Sequence, residues 1–330
     1  MTSIDLSQYP APEVLEALEY EEIFDEIVQH FLDQFPEDEV EAAEKSIPTR
    51  AKAELLMQIE GNLVVKSLQA YAYHATRMRA RVNDAAKATM LAYATGTDLD
   101  NLAAFYMVQR KENETDTELR DRLILAVDGF STAGPIGAYR FHGISAADAI
   151  KDVSVEAPTF ERVDLDPALQ AQLPAGSFVI RAVEDAGLSE PMPGDVAVTV
   201  LSREGDGTAS SETLENVLTA LNHEDVRPLT DRPRARSASV NTYSVSARIW
   251  CYGSVDSNLV IAAAEDAVRS YADEMHRLGY DVTISGLHRA LHQPGVQRAE
   301  IITPAATIVN SDREASFCTG VALTFEGIDV

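Results

Sequence analysis

The feature that most constrains this fold is a series of helix-boundary signals between residues 94 and 135. Gly96 has the residue type that ends helices in the left-handed conformation, and Thr97 or Asp98 is expected to cap the next short helix. Two leucines at helical spacing are expected to face inward from that helix: Leu99 and Leu102. The acidic residues of this segment are therefore predicted to cap helices rather than to take part in catalysis.

The next helix opens at a capping-box pattern, Thr115-x-x-Glu118. Its buried face is predicted to hold four apolar residues: Leu119, Leu123, Ala126 and Val127. Gly134–Pro135 then restarts the chain into another helix, since proline is favoured in the first turn.

The N-terminal segment predicts two long helices, one over 13–35 and ended by Pro36, the other over 48–93. The first carries an apolar stripe that includes Phe24, Val28, Phe31 and Phe35. The stripe of the second is Val64, Leu68, Tyr71, Ala75, Met78 and Val82. If Gly61 did not break it, the second helix would be about 65 Å long. Such length indicates a coiled coil or a bundle shared between chains; the alternative is a hairpin closed on the first helix.

After Gly143 the pattern changes to short β-branched runs that alternate with helical ones. The strongest strand signal alternates strictly from Tyr243 to Cys251, and a helix over 256–278 follows it. We expect an α+β fold: a helical bundle region and two small domains of sheet plus helix. The predicted domains are 1–93 (the inter-subunit core bundle), 94–150 (a helical connector), 151–235 (with a loop insertion over 161–176) and 236–330.

The net charge of −26 is unevenly distributed. Residues 1–47 hold 14 acidic residues and one lysine, whereas residues 48–92 hold seven basic and three acidic residues. The two segments are expected to meet each other, or the acidic one to meet a basic partner; a solvated acidic face is the alternative. The acidity disfavours nucleic acid and anionic lipid as partners. No apolar run of membrane-spanning length or signal-peptide pattern is present, and two cysteines indicate synthesis in a reducing cytosol.

The candidates for chemistry are weak. His288 and His292 lie one helical turn apart, but the zinc-protease pattern needs a Glu where Arg289 stands. Residues 205–208 are interpreted as a turn, since a phosphate loop needs a lysine at fixed spacing. Arg227 and Asp231 flank Pro228 and are expected to form a buried ion pair, or else a subunit contact. We therefore predict no catalytic residue, metal or cofactor, and no enzyme activity.

Three signatures in order, from about residue 91 to 302, resemble the baseplate J-like proteins of contractile-tailed phages and related injection particles. The first is Ala94–Ala103 with Arg110 and Glu114–Leu123, followed by Gly134–Pro135 and Ala138–Arg140. The others are Val226–Asp231, and Leu278–Val282 leading to Pro294–Val296. Twelve positions carry the structural signature: Gly96, Asp98, Leu99, Asp100, Arg110, Arg120, Arg122, Gly134, Pro135, Arg227, Pro228 and Asp231.

The resemblance implies a structural part of a tail baseplate in the virion. Two copies would join one smaller partner, similar to baseplate protein I, through an N-terminal helix bundle to form a wedge. Six wedges would surround the central hub and sheath-initiator proteins, C-terminal contacts would close the ring, and the ring would transmit the trigger for sheath contraction. The alternatives are a soluble binding protein or enzyme with an unrecognised site, and the equivalent part of a nonphage injection system.

Overall fold

The computed structural model describes residues 18–59, 61–131, 134–253 and 256–328. The chain divides into two compact units, one of residues 1–110 and 114–120 and the other of residues 111–113 and 121–330. The division falls within a helix, α6 (Asp116–Gly129). Helices and small sheets make the fold α+β, as the sequence predicts.

The described part of the first unit is helical. Before α6 it contains α1 (Tyr20–Leu32), α2 (Glu39–Lys45), α3 (Arg50–Met57), α4 (Leu63–Ala88) and α5 (Gly96–Phe105). Helix α1 packs against α4 because Ile23 and Leu32 of α1 are apolar and buried, as are Val65 and Ala72 of α4. An ion pair between Arg79 and Glu26 (3.1 Å) adds to this contact. The acidic first helix thus meets the more basic fourth.

The long second helix of the prediction is broken into α3 and α4, and an unbroken helix of about 65 Å does not form. The break lies at Gly61, the predicted weak point. Asn62 caps α4 through its side-chain oxygen, which accepts a hydrogen bond from the Val64 N–H (2.8 Å). Helix α4 is 26 residues long, or about 39 Å.

The charged run Glu37–Glu41, between the two long helices of the prediction, is not simply a connector, because α2 begins within it at Glu39. Asp38 accepts a hydrogen bond from the Val40 N–H (3.0 Å) and caps α2. The side chains of Glu41 and Lys45 form an ion pair (2.7 Å) one turn apart. Local capping and i,i+4 pairing therefore stabilise a short helix in a very polar sequence.

The second unit contains two sheets with helices and a smaller hairpin. After α6 its elements are α7 (Ile136–Ser145), β1 (Ile150–Glu156), β2 (Thr159–Val163), α8 (Pro167–Gln170), β3 (Val179–Glu184), β4 (Asp195–Ser202), α9 (Ser211–Leu221), β5 (Arg232–Ser237), β6 (Ser239–Cys251), α10 (Ser257–Met275), α11 (Ile284–Leu291), β7 (Val296–Thr303) and β8 (Glu314–Ile328). Strands β2 and β3 pair with each other, antiparallel. The expected insertion over 161–176 is thus not wholly a loop, because its first residues belong to β2 and α8 lies within it.

The middle sheet has the order β1-β4-β5 and is centred on a fully buried strand, β4. Strand β4 pairs antiparallel with β1 and parallel with β5. Helices α7 and α9 supply the core against it through residues such as Tyr139 and Val217. Ser210 caps α9 by accepting a hydrogen bond from the Thr213 N–H (3.1 Å).

The C-terminal sheet has the order β7-β6-β8, with β7 antiparallel and β8 parallel to β6. The predicted alternation in β6 is confirmed, since Tyr243, Val245, Ala247, Ile249 and Cys251 are all buried. Helices α10 and α11 cover that face of the sheet.

A buried histidine, His276, lies between the two sheets. Its Nδ1 is 2.9 Å from the carbonyl oxygen of Ser316 in β8. A Cβ added to Gly207, in the turn that follows β4, would lie 2.9 Å from the imidazole. Burial lowers the pKa of His276 from its ordinary value of 6.5, because a charged ring loses its hydration there.

We therefore expect the free energy of unfolding to fall as the pH drops below about 6.5, by at most about 1.4 kcal/mol per pH unit from this group. The folded state resists a proton that the unfolded chain accepts, so stability is full above the unfolded pKa and is lost as the pH falls towards the folded one. Urea unfolding at pH 7.5 and pH 5.5 measures the difference. In His276→Gln the difference should shrink, and an unchanged pH dependence in that variant would contradict the assignment.

Candidate interaction surface and signature clusters

The first signature motif folds into a cluster around Arg110. Its guanidinium donates to the carboxylates of Asp100 and Asp116, both at 2.7 Å, and to the carbonyl of Glu114 (3.0 Å). Asp116 also accepts the backbone N–H of Gly96 (3.0 Å), and this hydrogen bond lowers the pKa of Asp116. Charge-assisted hydrogen bonds of this kind join α5 to the start of α6.

The expected cap at Thr97 or Asp98 was wrong. Thr95 is the N-cap residue without a side-chain hydrogen bond, and Asp98 is exposed in the first turn. The N–H of Gly96, which has φ +52°, instead donates a hydrogen bond to the Asp116 carboxylate. A residue 20 positions further along the chain thus supplies the cap, which local spacing does not predict.

The other positions of this motif also have structural roles. Arg120 donates to the carbonyls of Leu91 (2.7 Å) and Ala94 (2.8 Å), so it fixes the segment before α5. Leu99 and Arg122 are buried. The capping box is confirmed, because the Glu118 carboxylate accepts the Thr115 N–H (3.0 Å) and the Thr115 hydroxyl accepts the Glu118 N–H (3.3 Å). On the predicted face of α6, Leu119, Leu123 and Ala126 are buried, but Val127 is exposed.

Two signature motifs that lie about 90 residues apart in sequence meet in the second unit. Pro135 is the N-cap residue of α7, and a Cβ on Gly134 would lie 2.6 Å from the ring of Pro228. The hydroxyl of Tyr139 donates to the Asp231 carboxylate (2.8 Å), and burial together with this bond raises the pKa of Tyr139. The turn before β5 is therefore packed directly on the start of α7.

The expected buried pair between Arg227 and Asp231 was wrong. Arg227 is exposed and donates to the side-chain oxygen of Asn222 (3.1 Å) at the end of α9. The Asp231 carboxylate is instead bound by Tyr139, whose phenol provides a donor without the cost of burying a second charge.

Gly134→Ala is expected to lower the free energy of unfolding by about 2–3 kcal/mol, because φ is +70° and the new Cβ would overlap the Pro228 ring. Gly176→Ala is a matched control, since Gly176 has φ +88° and open space around its Cβ position. The control should lose only the backbone term of about 1 kcal/mol. Chemical denaturation measures both, and equal losses would show that the Pro228 contact adds nothing.

A cluster of arginines around Asp195 was missed, together with the strand β5 that carries it. The Asp195 side chain is fully buried and accepts from Arg232 (2.5 and 3.0 Å), Arg234 (3.3 Å) and the Met192 N–H (2.9 Å). The hydrogen bonds from Arg232 lower the pKa of Asp195 to about 2. Three arginines and a proline in six residues do not look like a strand. Strand β5 lies at the edge of its sheet, where a proline is tolerated. The arginines at alternate positions of β5 bind carboxylates of neighbouring elements.

The predicted interface stripe on α4 is exposed where α1 does not cover it. Val64, Tyr71 and Met78 are spaced seven residues apart, and their exposed fractions are 37%, 73% and 60%. The neighbouring stripe, with Val65 and Ala72, is buried under α1. The remaining predicted interface residues are half-buried: Phe24, Val28, Phe31, Phe35 and Leu68. The internal hairpin alternative thus accounts for one face of α4 and leaves a second apolar face in contact with water.

Chemical groups elsewhere are held in structural roles. The ring of His292 bonds the carbonyl of His288 (2.8 Å), and residues 205–208 form the predicted turn between β4 and α9. Within the described ranges, no group of three or more His, Cys, Asp or Glu side chains is placed to hold a metal ion. None of the helices in the same ranges is long and apolar enough to cross a bilayer.

In the described residues, charged clusters therefore fix the backbone, and one apolar face of α4 is exposed. The family model for the baseplate J-like N-terminal domain matches residues 60–115. The chain is similar to baseplate protein J of Escherichia phage P2, with 35% identity over 344 aligned positions that cover 100% of both proteins. The chain belongs to the baseplate J-like family, and it is a structural component of a phage tail baseplate that interacts with other baseplate proteins.

Proposed function

We propose that two copies of this chain and one smaller baseplate protein associate through their N-terminal helices into one baseplate wedge. Six such wedges enclose the central hub and contact the sheath-initiator proteins, and C-terminal contacts between wedges close the ring. Residues 1–93 are the inter-subunit part, residues 94–150 the connector, and 151–235 and 236–330 the two α+β domains.

The observation that carries the proposal is the exposed stripe of Val64, Tyr71 and Met78 on α4. A seven-residue repeat of apolar residues is the pattern of a helix that packs against another helix along its length. Since α1 already covers the adjacent face, the open stripe is available to a helix from another chain. Burial of large apolar side chains provides most of the free energy of such contacts.

Charge favours the same arrangement. Arg81 lies one turn from Met78 on α4 and is exposed, whereas α1 carries exposed acids such as Glu21 and Glu22. An α4 stripe flanked by arginine therefore suits a helix as acidic as α1. Residues 1–47, which include α1, hold 14 acidic residues and one lysine, so a helix from this part of the chain is complementary in charge to α4.

The proposed mechanism is mechanical. The ring holds one packing of its wedges, and engagement of a fibre or receptor shifts them to a second packing that releases the sheath. Interfaces between copies act as the two-state element, so no step requires a catalytic side chain.

A native mass spectrum of the full chain, co-expressed with its neighbouring genes, tests the assembly. We expect the mass of two copies with one smaller partner, or multiples of that mass. A monomer, or a homodimer without partner at every concentration tested, would overturn the proposal.

A further inference from the structure

One strand in the C-terminal sheet has an edge that differs from all other described edges. Strand β8 is the last strand of the order β7-β6-β8, so one side of its backbone faces away from β6. From Ala315 to Phe325 it holds no charged residue and no proline. The charges of β8 lie near its ends, at Glu314 and Glu326, whereas the other strands at sheet edges carry charges among their inner residues, such as Arg298 and Glu300 in β7. Inward and flanking charges are the usual protection of an edge against pairing with another chain.

The free part of this edge is bounded on both sides. At the start of β8 the outer carbonyls are already bound, that of Glu314 by the Gly279 N–H (3.1 Å) and that of Ser316 by His276 (2.9 Å). The register with β6 shifts at Thr319 and again at Glu326. Six residues lie between these two register shifts, Gly320–Phe325, and the carbonyl of the first, Gly320, accepts a hydrogen bond from the Cys318 thiol (3.5 Å). We define them as the open edge.

We propose that the open edge of β8 pairs antiparallel with the same edge of a second copy, so that two C-terminal sheets become one. The inference rests on the proposed ring, in which C-terminal domains meet, and it assigns that contact to one strand. It is independent of the α4 stripe.

The side chains of the open edge suit a copy of themselves. Val321 and Leu323 pack partly buried on the helix-covered face of the sheet, and Phe325, on the same side, is 41% exposed. With Leu323 opposite Leu323 of the second copy, Val321 lies opposite Phe325 and the apolar layer continues across the contact. Pairs of an aromatic with a β-branched residue stabilise antiparallel strands.

Electrostatics selects the same site. Two copies of a chain with net charge −26 repel each other overall. The open edge is free of charge, and in this register Glu326 faces Gly320, which separates the two carboxylates. The edge of β7 would instead place Arg298 and Glu300 at the contact.

Register-specific cross-linking tests the pairing. In the proposed register Ala322 faces Thr324 of the second copy, and both side chains are exposed. The full-length double variant Ala322→Cys with Thr324→Cys should form a covalent dimer on mild oxidation, with at least about tenfold more dimer than either single variant or the wild type. Equal amounts in single and double variants, or no dimer in the double variant, would overturn the proposal.

A lysine variant separates this contact from the wedge itself. Thr324→Lys places a charge on the open edge, and Ile302→Lys places one on β7 at the opposite edge of the same sheet. In native mass spectra of the co-expressed complex, Thr324→Lys should reduce the amount of species larger than one wedge at least about tenfold, while the mass of a single wedge remains. In the Ile302→Lys control, the larger species should remain as abundant as in the wild type. If the species larger than one wedge were as abundant in Thr324→Lys as in the wild type, the β8 contact alone would be overturned. If the mass of a single wedge were absent from the wild-type spectrum, the proposed function would be overturned.

Discussion

Tyr71→Lys is expected to weaken the proposed two-copy complex at least about thirtyfold, while the chain itself stays folded. Large aromatic residues at the centre of an interface typically contribute about 2 kcal/mol or more when buried by a partner. Tyr71 is 73% exposed in the single chain, so its replacement should change the free energy of unfolding by no more than about 0.5 kcal/mol. Analytical ultracentrifugation of the full chain with its smaller partner measures the dissociation constant.

Tyr73→Lys is the matched control for this prediction. Tyr73 belongs to the same helix and is 55% exposed, but it lies outside the seven-residue stripe. Its replacement introduces the same residue with the same charge. If both variants lost affinity equally, the stripe would not be the contact, and if neither did, the helix would not take part in the assembly.

Asp195→Asn is expected to lower the free energy of unfolding by about 2 kcal/mol at pH 7, because the pKa of Asp195 is about 2 rather than its ordinary 3.8. The change leaves Arg232 and Arg234 without their buried carboxylate. Since the folded pKa is lowered, the stabilisation is fully present above about pH 4 and is lost as the pH falls towards 2.

Urea unfolding at pH 7 and at pH 3 tests this. The wild type should lose part of the Asp195 contribution between the two, whereas the variant should lose less. Glu212→Gln removes one exposed carboxylate from the first turn of α9 and serves as the control, with an expected change of about 0.5 kcal/mol. A loss in Asp195→Asn no larger than in this control would show that the arginines find other partners.

Much of the architecture follows from local signals. The strand β6, the capping box at Thr115 and the restart of the chain at Gly134–Pro135 were all predicted from patterns within a few residues. Those patterns act through neighbouring backbone groups, so the sequence contains the whole interaction. The break at Gly61 is also a local signal. The cap at Asn62 is what makes it prevail over the helical pattern that continues on both sides of it.

Local patterns did not predict the partners of the signature residues. Gly96, Arg110 and Asp231 were named as residues of the motifs, and each binds a group that local spacing did not suggest. Asp231 accepts a hydrogen bond from Tyr139 rather than pairing with Arg227, because two segments about 90 residues apart pack together.

The sequence by itself determined the fold class, the capping box at Thr115 and the resemblance to one family, since these depend on residue type and spacing along the chain. Only the tertiary structure decided which carboxylate each arginine binds, which apolar face of α4 lies under α1, and that β8 presents a charge-free edge. Those properties depend on contacts between distant segments, and hydrophobic burial is non-directional, so the stripe alone could not say which of its sides another helix would cover.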